Sequence, residues 1–144
     1  MKKYKIGYTT GVFDMFHIGH LNVLSNAKRM CDHLIVGVST DELVKSYKHK
    51  IPVIPYEERI AIVEAIKYVD EVVPQTSMDK YEAWERLRCD AIFHGDDWKG
   101  SDMYNEVERK LKEVGVDMVF LPHTQGTSST MLKDVLQKML ESRE

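Results

Sequence analysis

Short apolar stretches alternate with helical patterns along the whole 144-residue chain, and this alternation restricts its fold more than any other feature. Strand-like runs cover residues 4–8, 34–38, 71–73, 91–93 and 118–121. Between them apolar residues recur every three or four positions, as in Leu21, Leu24, Ala27 and Met30. Helices are predicted to about residue 30, over 56–66, 80–87 and 103–114, and from about 129 onward. Strands separated by helices close as a parallel sheet with right-handed crossovers and helices on both faces. The expected fold class is therefore α/β: a single doubly wound Rossmann-like domain spanning residues 1–144, with a five-stranded parallel sheet.

Such sheets bind ligands beyond the carboxyl ends of their strands, so the residues that follow each strand are the candidates for chemistry. After the first strand comes Thr10-Gly11-Val12-Phe13-Asp14-Met15-Phe16-His17-Ile18-Gly19-His20, which joins strand to helix with two histidines at the joint. A helix start offers unpaired backbone N–H groups and partial positive charge, which suits an anion, and Gly11 and Gly19 leave room for a phosphate to approach. His17 and His20 are three apart and can face one ligand. Imidazoles there can donate to phosphate oxygens and carry the charge that builds up when phosphorus is attacked. The competing readings are metal ligands or ordinary residues at a helix start. No Cys or carboxylate accompanies the pair at a ligand spacing, so no direct protein cage for a metal is expected. The pattern favours phosphate chemistry.

The later strand ends carry further polar clusters. Ser39-Thr40-Asp41-Glu42 has the form of a helix cap, with Thr40 or Ser39 bonding free amides. Residues 45–50 form a loop with three lysines and a histidine, which by composition alone is a solvated surface. Pro55 suits the start of a helix, on which Arg59 by itself reads as a surface ion-pair residue. Tyr81, Trp84 and Leu87 at helical spacing read as core. In His94-Gly95-Asp96-Asp97-Trp98 the alternatives are a plain turn and a carboxylate that accepts from ribose hydroxyls or holds Mg²⁺ through water. His123-Thr124-Gln125-Gly126-Thr127-Ser128-Ser129-Thr130 brings more hydroxyls to a helix start than one cap needs, and so reads as a second phosphate cradle. In the helix that follows, Leu132, Val135, Leu136, Met139 and Leu140 are expected inward.

A net charge of −3 gives no basic field of the kind that draws nucleic acid, so none is expected as a partner and any anion must be held by local cations. Cys31 and Cys89 stand far apart in no motif, which points to small core-facing residues in a reducing cytosol. The basic start is not followed by a cleavage-site pattern, and the apolar runs are too short to span a bilayer. A cytoplasmic protein without membrane insertion is the expectation.

His17-x-Gly19-His20 behind Gly11-Val12-Phe13-Asp14 resembles the HxGH signature of the nucleotidyltransferase superfamily, and within it the cytidylyltransferases. Residues 56–73 resemble that family's YExR and (R/K)YVDEV block, residues 95–98 the GDDW of the glycerol-3-phosphate enzymes, and residues 123–130 the RTEGISTT motif, with His123 in place of Arg and Gln125 in place of Glu. The resemblance covers nearly the whole chain, and the chain is far shorter than an aminoacyl-tRNA synthetase, where a variant of the signature also occurs. It implies transfer of CMP from CTP to a small phosphorylated alcohol, glycerol 3-phosphate first and phosphocholine, phosphoethanolamine or another polyol phosphate as alternatives. ATP as donor and a nucleotide-binding regulatory module without turnover are the other readings. The resemblance assigns catalysis to His17, His20, Lys50 and Arg59. It assigns nucleotide binding to Gly11, Val12, Phe13, Asp14, Gly19, Asp96, Asp97, His123, Thr124, Gly126, Thr127, Ser128 and Ser129. It gives the acceptor phosphate to Lys48, Lys50, Arg59 and Lys67, of which Lys67 stands where those enzymes carry Arg. It also implies Mg²⁺ bound with the triphosphate and a homodimer.

Overall fold

The computed structural model describes residues 3–95, 102–121 and 129–141. The described strands are β1 (Tyr4–Gly11), β2 (Cys31–Ser39), β3 (Glu71–Gln75), β4 (Ala91–Gly95) and β5 (Asp117–Leu121). The helices are α1 (Ile18–Met30), α2 (Asp41–Lys48), α3 (Tyr56–Glu64), α4 (Lys80–Leu87), α5 (Asp102–Glu113) and α6 (Ser129–Glu141). All described strands pair in parallel, in the order β3-β2-β1-β4-β5. The chain thus winds outward from β1 in one direction and from β4 in the other, and the crevice where the two windings part lies between the ends of β1 and β4.

Side chains alternate across the pleat and separate two cores. Leu34, Val36 and Val38 of β2 and Phe93 of β4 meet Leu24 and Ala27 of α1 and Val63 of α3 on one face. Tyr8, Ile35 and Ile92 meet Ala83 of α4 and Tyr104 and Leu111 of α5 on the other. Cys31 and Cys89 are both buried free thiols, as core-facing residues should be. Asp70 locks the amino end of β3 to its surroundings: its carboxylate accepts from Leu34 N at 2.8 Å and pairs with Lys28 at 2.6 Å.

Two local expectations are corrected. Helix α2 runs through Lys45, Ser46, Tyr47 and Lys48, so most of the basic stretch is helical, and the chain leaves the helix through His49 in the left-handed region, at φ 58°. Thr40 starts that helix, accepting from Leu43 N at 3.2 Å, which fixes its frame and carries it on. In α6, Leu132 borders a cavity of about 480 Å³ with Phe13, Ile54, Ile62 and Arg59. Val135, Leu136, Met139 and Leu140 are instead roughly half exposed, Met139 the most at 59%. The apolar period is real, but spacing along a helix does not say what lies opposite it.

Candidate active site

A cavity of about 330 Å³ opens where β1 and β4 end side by side, within the size range of small-ligand sites. Its floor is Thr9, Thr10 and Gly11 from β1 and His94 and Gly95 from β4. The turn residues Val12, Phe13 and Asp14, His20 of α1, and Lys48, Lys50 and Lys133 complete it. Residues from both ends of the sequence therefore meet at the crevice that the topology leaves open.

The two histidines build the start of α1. His17 is the N-cap, and its Nδ1 accepts from Gly19 N at 3.0 Å; the Nδ1 of His20 accepts in return from His17 N at 3.2 Å. This is a capping box made of imidazoles, with ring centroids 4.0 Å apart. An imidazole that accepts at Nδ1 carries its hydrogen, when neutral, on Nε2. Burial lowers the pKa of His17. Burial, together with neighbouring His17, takes His20 down to about 4 against an opposing pull from Asp14. Both rings are thus neutral Nε2–H donors at neutral pH. His20 borders the cavity directly.

The turn ahead of the cap holds two non-glycine residues in the left-handed region, Phe13 at φ 55° and Met15 at φ 50°. Such backbone persists only where the surroundings over-determine it. Here the buried Phe13 ring packs on Phe16 at 6.2 Å and edge-on to His20 at 5.4 Å. At Gly11 a Cβ would lie 3.0 Å from the Phe13 ring, so the packing of that aromatic side chain also favours glycine there.

Asp14 is 3% exposed, and its carboxylate accepts from Val53 N at 2.8 Å and Ile54 N at 2.9 Å and pairs with Lys133 at 3.2 Å. Burial would raise its pKa, but those amides and Lys133 outweigh it and hold the group ionised. Its oxygens face the protein's own donors, so it ties down a loop where the sequence suggested a nucleotide contact. Lys48 is driven the other way: burial and the nearby Lys133 and Lys50 lower its pKa, so the cavity wall is crowded with cations that an anion would relieve.

Arg59 is not exposed and does not line this cavity, but borders the neighbouring one with Phe13, Ile54 and Leu132. It is 1% exposed, and its guanidinium donates to Ile54 O at 2.8 Å, Val12 O at 2.8 Å, Ser39 O at 2.7 Å and Asp41 Oδ1 at 2.5 Å. A surface ion pair is thereby excluded, because the group's partners are three backbone carbonyls and a carboxylate of the protein itself. Lys67 stands in the link that enters the amino end of β3, over the Tyr68 ring at 5.2 Å. Parallel strands put that link at the edge of the sheet opposite the cavity, so Lys67 does not join Lys48 and Lys50 within one chain. Asp96, Asp97, Trp98, His123, Thr124, Gln125, Gly126, Thr127 and Ser128 lie outside the described residues, and of Ser129 only the backbone at the start of α6 is described.

Three residues went unassigned in the sequence reading. Lys133 comes from α6 and carried no local signal. His94 borders the cavity and is held at both ring nitrogens, by Tyr104 Oη at 3.1 Å and by Gly95 O at 3.2 Å. Lys80, at the head of α4, is 8% exposed with its ammonium 6.0 Å from the Tyr104 ring, and burial takes its pKa to about 8. Among the described residues no group of three His, Cys, Asp or Glu is placed to hold a metal, and no helix is long and apolar enough to cross a membrane.

A doubly wound parallel sheet with a histidine-capped helix start and a ring of lysines at its crevice is the architecture of a nucleotidyl-transferring enzyme. Residues 8–135 match the family model described as cytidylyltransferase-like, and the chain belongs to that family and is a nucleotidyltransferase. It is 38% identical over 133 residues to the glycerol-3-phosphate cytidylyltransferase of Bacillus subtilis (strain 168), covering 88% of this chain and 92% of that protein. It is 40% identical over 137 residues to the ethanolamine-phosphate cytidylyltransferase of Mus musculus, covering 90% of this chain and 31% of that longer protein. Among solved structures, the lipopolysaccharide core biosynthesis protein from Thermoplasma volcanium GSS1 superimposes with a TM-score of 0.70 at 26% identity, over 86% of this chain and 99% of that one.

Proposed function

We propose that the protein transfers CMP from CTP to glycerol 3-phosphate, giving a CDP-linked product and pyrophosphate. The observation that carries the reading is His20, locked as an Nε2–H donor by the imidazole capping box, on a cavity whose wall holds Lys48, Lys50 and Lys133. A phosphate oxygen of the acceptor attacks the α-phosphorus of CTP in line. The new P–O bond forms as the bond to the leaving oxygen breaks, and its electron pair departs with pyrophosphate. The acceptor phosphate is already ionised, so neither a general base nor a covalent enzyme intermediate is required.

The chain's contribution is positioning and charge stabilisation. His17 and His20 donate from Nε2 to the α-phosphate oxygens as negative charge grows there. Lys48 and Lys50 hold the acceptor phosphate. The turn from Gly11 to Asp14 and Gly19 at the helix start shape the nucleotide side, with Asp96, Asp97, His123, Thr124, Gly126, Thr127, Ser128 and Ser129 assigned to the nucleotide by resemblance. Arg59, whose donors are engaged within the protein, receives no phosphate in this reading, nor does Lys67. Mg²⁺ enters with the triphosphate as part of the substrate, which fits a site where Asp14, the buried carboxylate at the cavity, already faces two amides and a lysine. A homodimer of one domain per chain, in the cytoplasm, completes the proposal.

Glycerol 3-phosphate is preferred as acceptor because the Bacillus subtilis relative carries that name and matches over 92% of its length. The mouse relative, at 40% identity, keeps ethanolamine phosphate as the second reading. Pyrophosphate release with Mg²⁺ across CTP and ATP against glycerol 3-phosphate, phosphocholine and phosphoethanolamine tests the proposal. Turnover with CTP and glycerol 3-phosphate is expected; preference for another pair moves the substrate assignment, and silence across the grid overturns it.

A further inference from the structure

Arg59 bonds four separate points of the protein itself. Its guanidinium bonds Val12, in the turn that follows β1; Ser39 and Asp41, at the passage from β2 into α2; and Ile54, at the close of the loop that follows Lys48 and Lys50. These points lie at the ends of elements: Val12 follows β1, Ser39 is the last residue of β2, Asp41 is the first of α2, and Ile54 precedes α3. The same loop is gripped from the other side, because Val53 N and Ile54 N both donate to Asp14 of the nucleotide turn. Ile54 is thus held by its N–H through Asp14 and by its C=O through Arg59. The segment between Asp41 and Ile54, which carries Lys48 and Lys50 to the cavity, has both of its ends fastened to one guanidinium.

We infer that Arg59 is a positioning residue that joins the nucleotide turn to the acceptor loop, so that filling one half of the cavity strengthens binding in the other. The inference rests on the proposed transfer reaction for its substrates. Its physical basis is that the turn and the loop share their fixed points: a nucleotide that orders residues 12–14 orders the loop ends at the same time, and an acceptor phosphate on Lys48 and Lys50 then finds them already in place. A planar fork is needed for this. Its donors point to partners on separate segments, whereas the single nitrogen of a lysine cannot span them.

Arg59→Lys keeps the charge and removes the fork. In the wild type, the KM for CTP is expected to fall about fivefold or more between scarce and saturating glycerol 3-phosphate. In Arg59→Lys that dependence is expected to shrink below about twofold and kcat to drop roughly 10²-fold, as misplacement of reacting groups does. Hydrogen exchange at the Val53 and Ile54 amides is expected to quicken about tenfold or more in the variant, while amides of α5 keep their protection. Asp41→Asn, which leaves Arg59 in place and weakens its charged partner, gives the same pattern at smaller size and serves if Arg59→Lys fails to fold. Loss of acceptor affinity alone, with kcat and the dependence between substrates intact, marks a direct phosphate ligand and overturns the inference. So does a wild type without such dependence, or unchanged exchange at Val53 and Ile54. If no substrate pair turns over, the transfer reaction is what has failed, and the exchange measurement still decides what Arg59 holds.

Discussion

Arg59 and Lys80 are buried cations on opposite faces of the sheet, and their surroundings differ in kind. On the β2 side, the Arg59 guanidinium meets three carbonyls and the Asp41 carboxylate. On the β4 side, Lys80 at the head of α4 has the Tyr104 ring beside it, and among the described residues no hydrogen-bond or ion partner. Burial consequently takes the Lys80 ammonium to about 8. Equal burial of equal charge thus has two meanings. A cation bonded at several points fixes geometry, while one without a hydrogen-bond or ion partner among the described residues is disfavoured in its charged form.

The largest effect should come from removing the bonded cation. Arg59→Met leaves buried carbonyls and the Asp41 charge without their donor and is expected to destabilise by about 3–5 kcal/mol in urea unfolding. A loss below about 1 kcal/mol would break the contrast. Next, His20→Ala should lower kcat about 10²–10³-fold, because a preorganised donor to the growing charge is gone. Near-full turnover in steady-state assays would remove His20 from the mechanism. Lys80→Met should move in the opposite sense to Arg59→Met, leaving stability unchanged or raising it by about 1–3 kcal/mol at pH 7.

The pH dependence sharpens the same point. The folded Lys80 pKa of about 8 lies below its ordinary 10.5, so between those values the unfolded chain holds the proton that the folded one releases. Stability contributed by this group therefore rises with pH across the window, by about 3 kcal/mol at most, and is absent below it. The buried hydroxyls of Tyr4 and Tyr8, both pushed to about 12, oppose this above pH 10, so the difference between wild type and Lys80→Met is the quantity to follow. A flat difference from pH 8 to 10.5 would mean Lys80 is solvated or paired. The smallest change belongs to Tyr104→Phe. It removes the bond to His94 and should cost about 1 kcal/mol, with a few-fold change in acceptor KM.

Much of this could be read from sequence where the signal is local. The Leu21 to Met30 spacing gave α1, the Pro55 and Thr40 starts gave α3 and α2, and the strand ends told where to look for the cavity. The histidine spacing suggested two rings facing one ligand at a helix start, and the structure shows the two rings capping that start themselves. What was missed depends on partners distant in the chain. Arg59 read as a surface charge because helix periodicity says nothing about the Val12, Ser39 and Ile54 carbonyls converging on it. Lys133 gave no sign that it would meet Asp14, and Lys67 looked like a neighbour of Lys48 only because a shared motif is silent about which edge of the sheet it reaches.

The order of strands and helices, the parallel character of the sheet and the imidazole pair at the first helix start were determined by the sequence itself, since each follows from periods of two or three to four residues and from caps within a few positions. Only the tertiary structure decided that β1 and β4 lie side by side, that one guanidinium fastens the turn and the loop on either side of the cavity, and that Lys80 is buried with no hydrogen-bond or ion partner among the described residues. Those outcomes come from long-range closure, in which groups far apart in the chain are desolvated together, and their energies depend on who meets whom rather than on any residue's own preference.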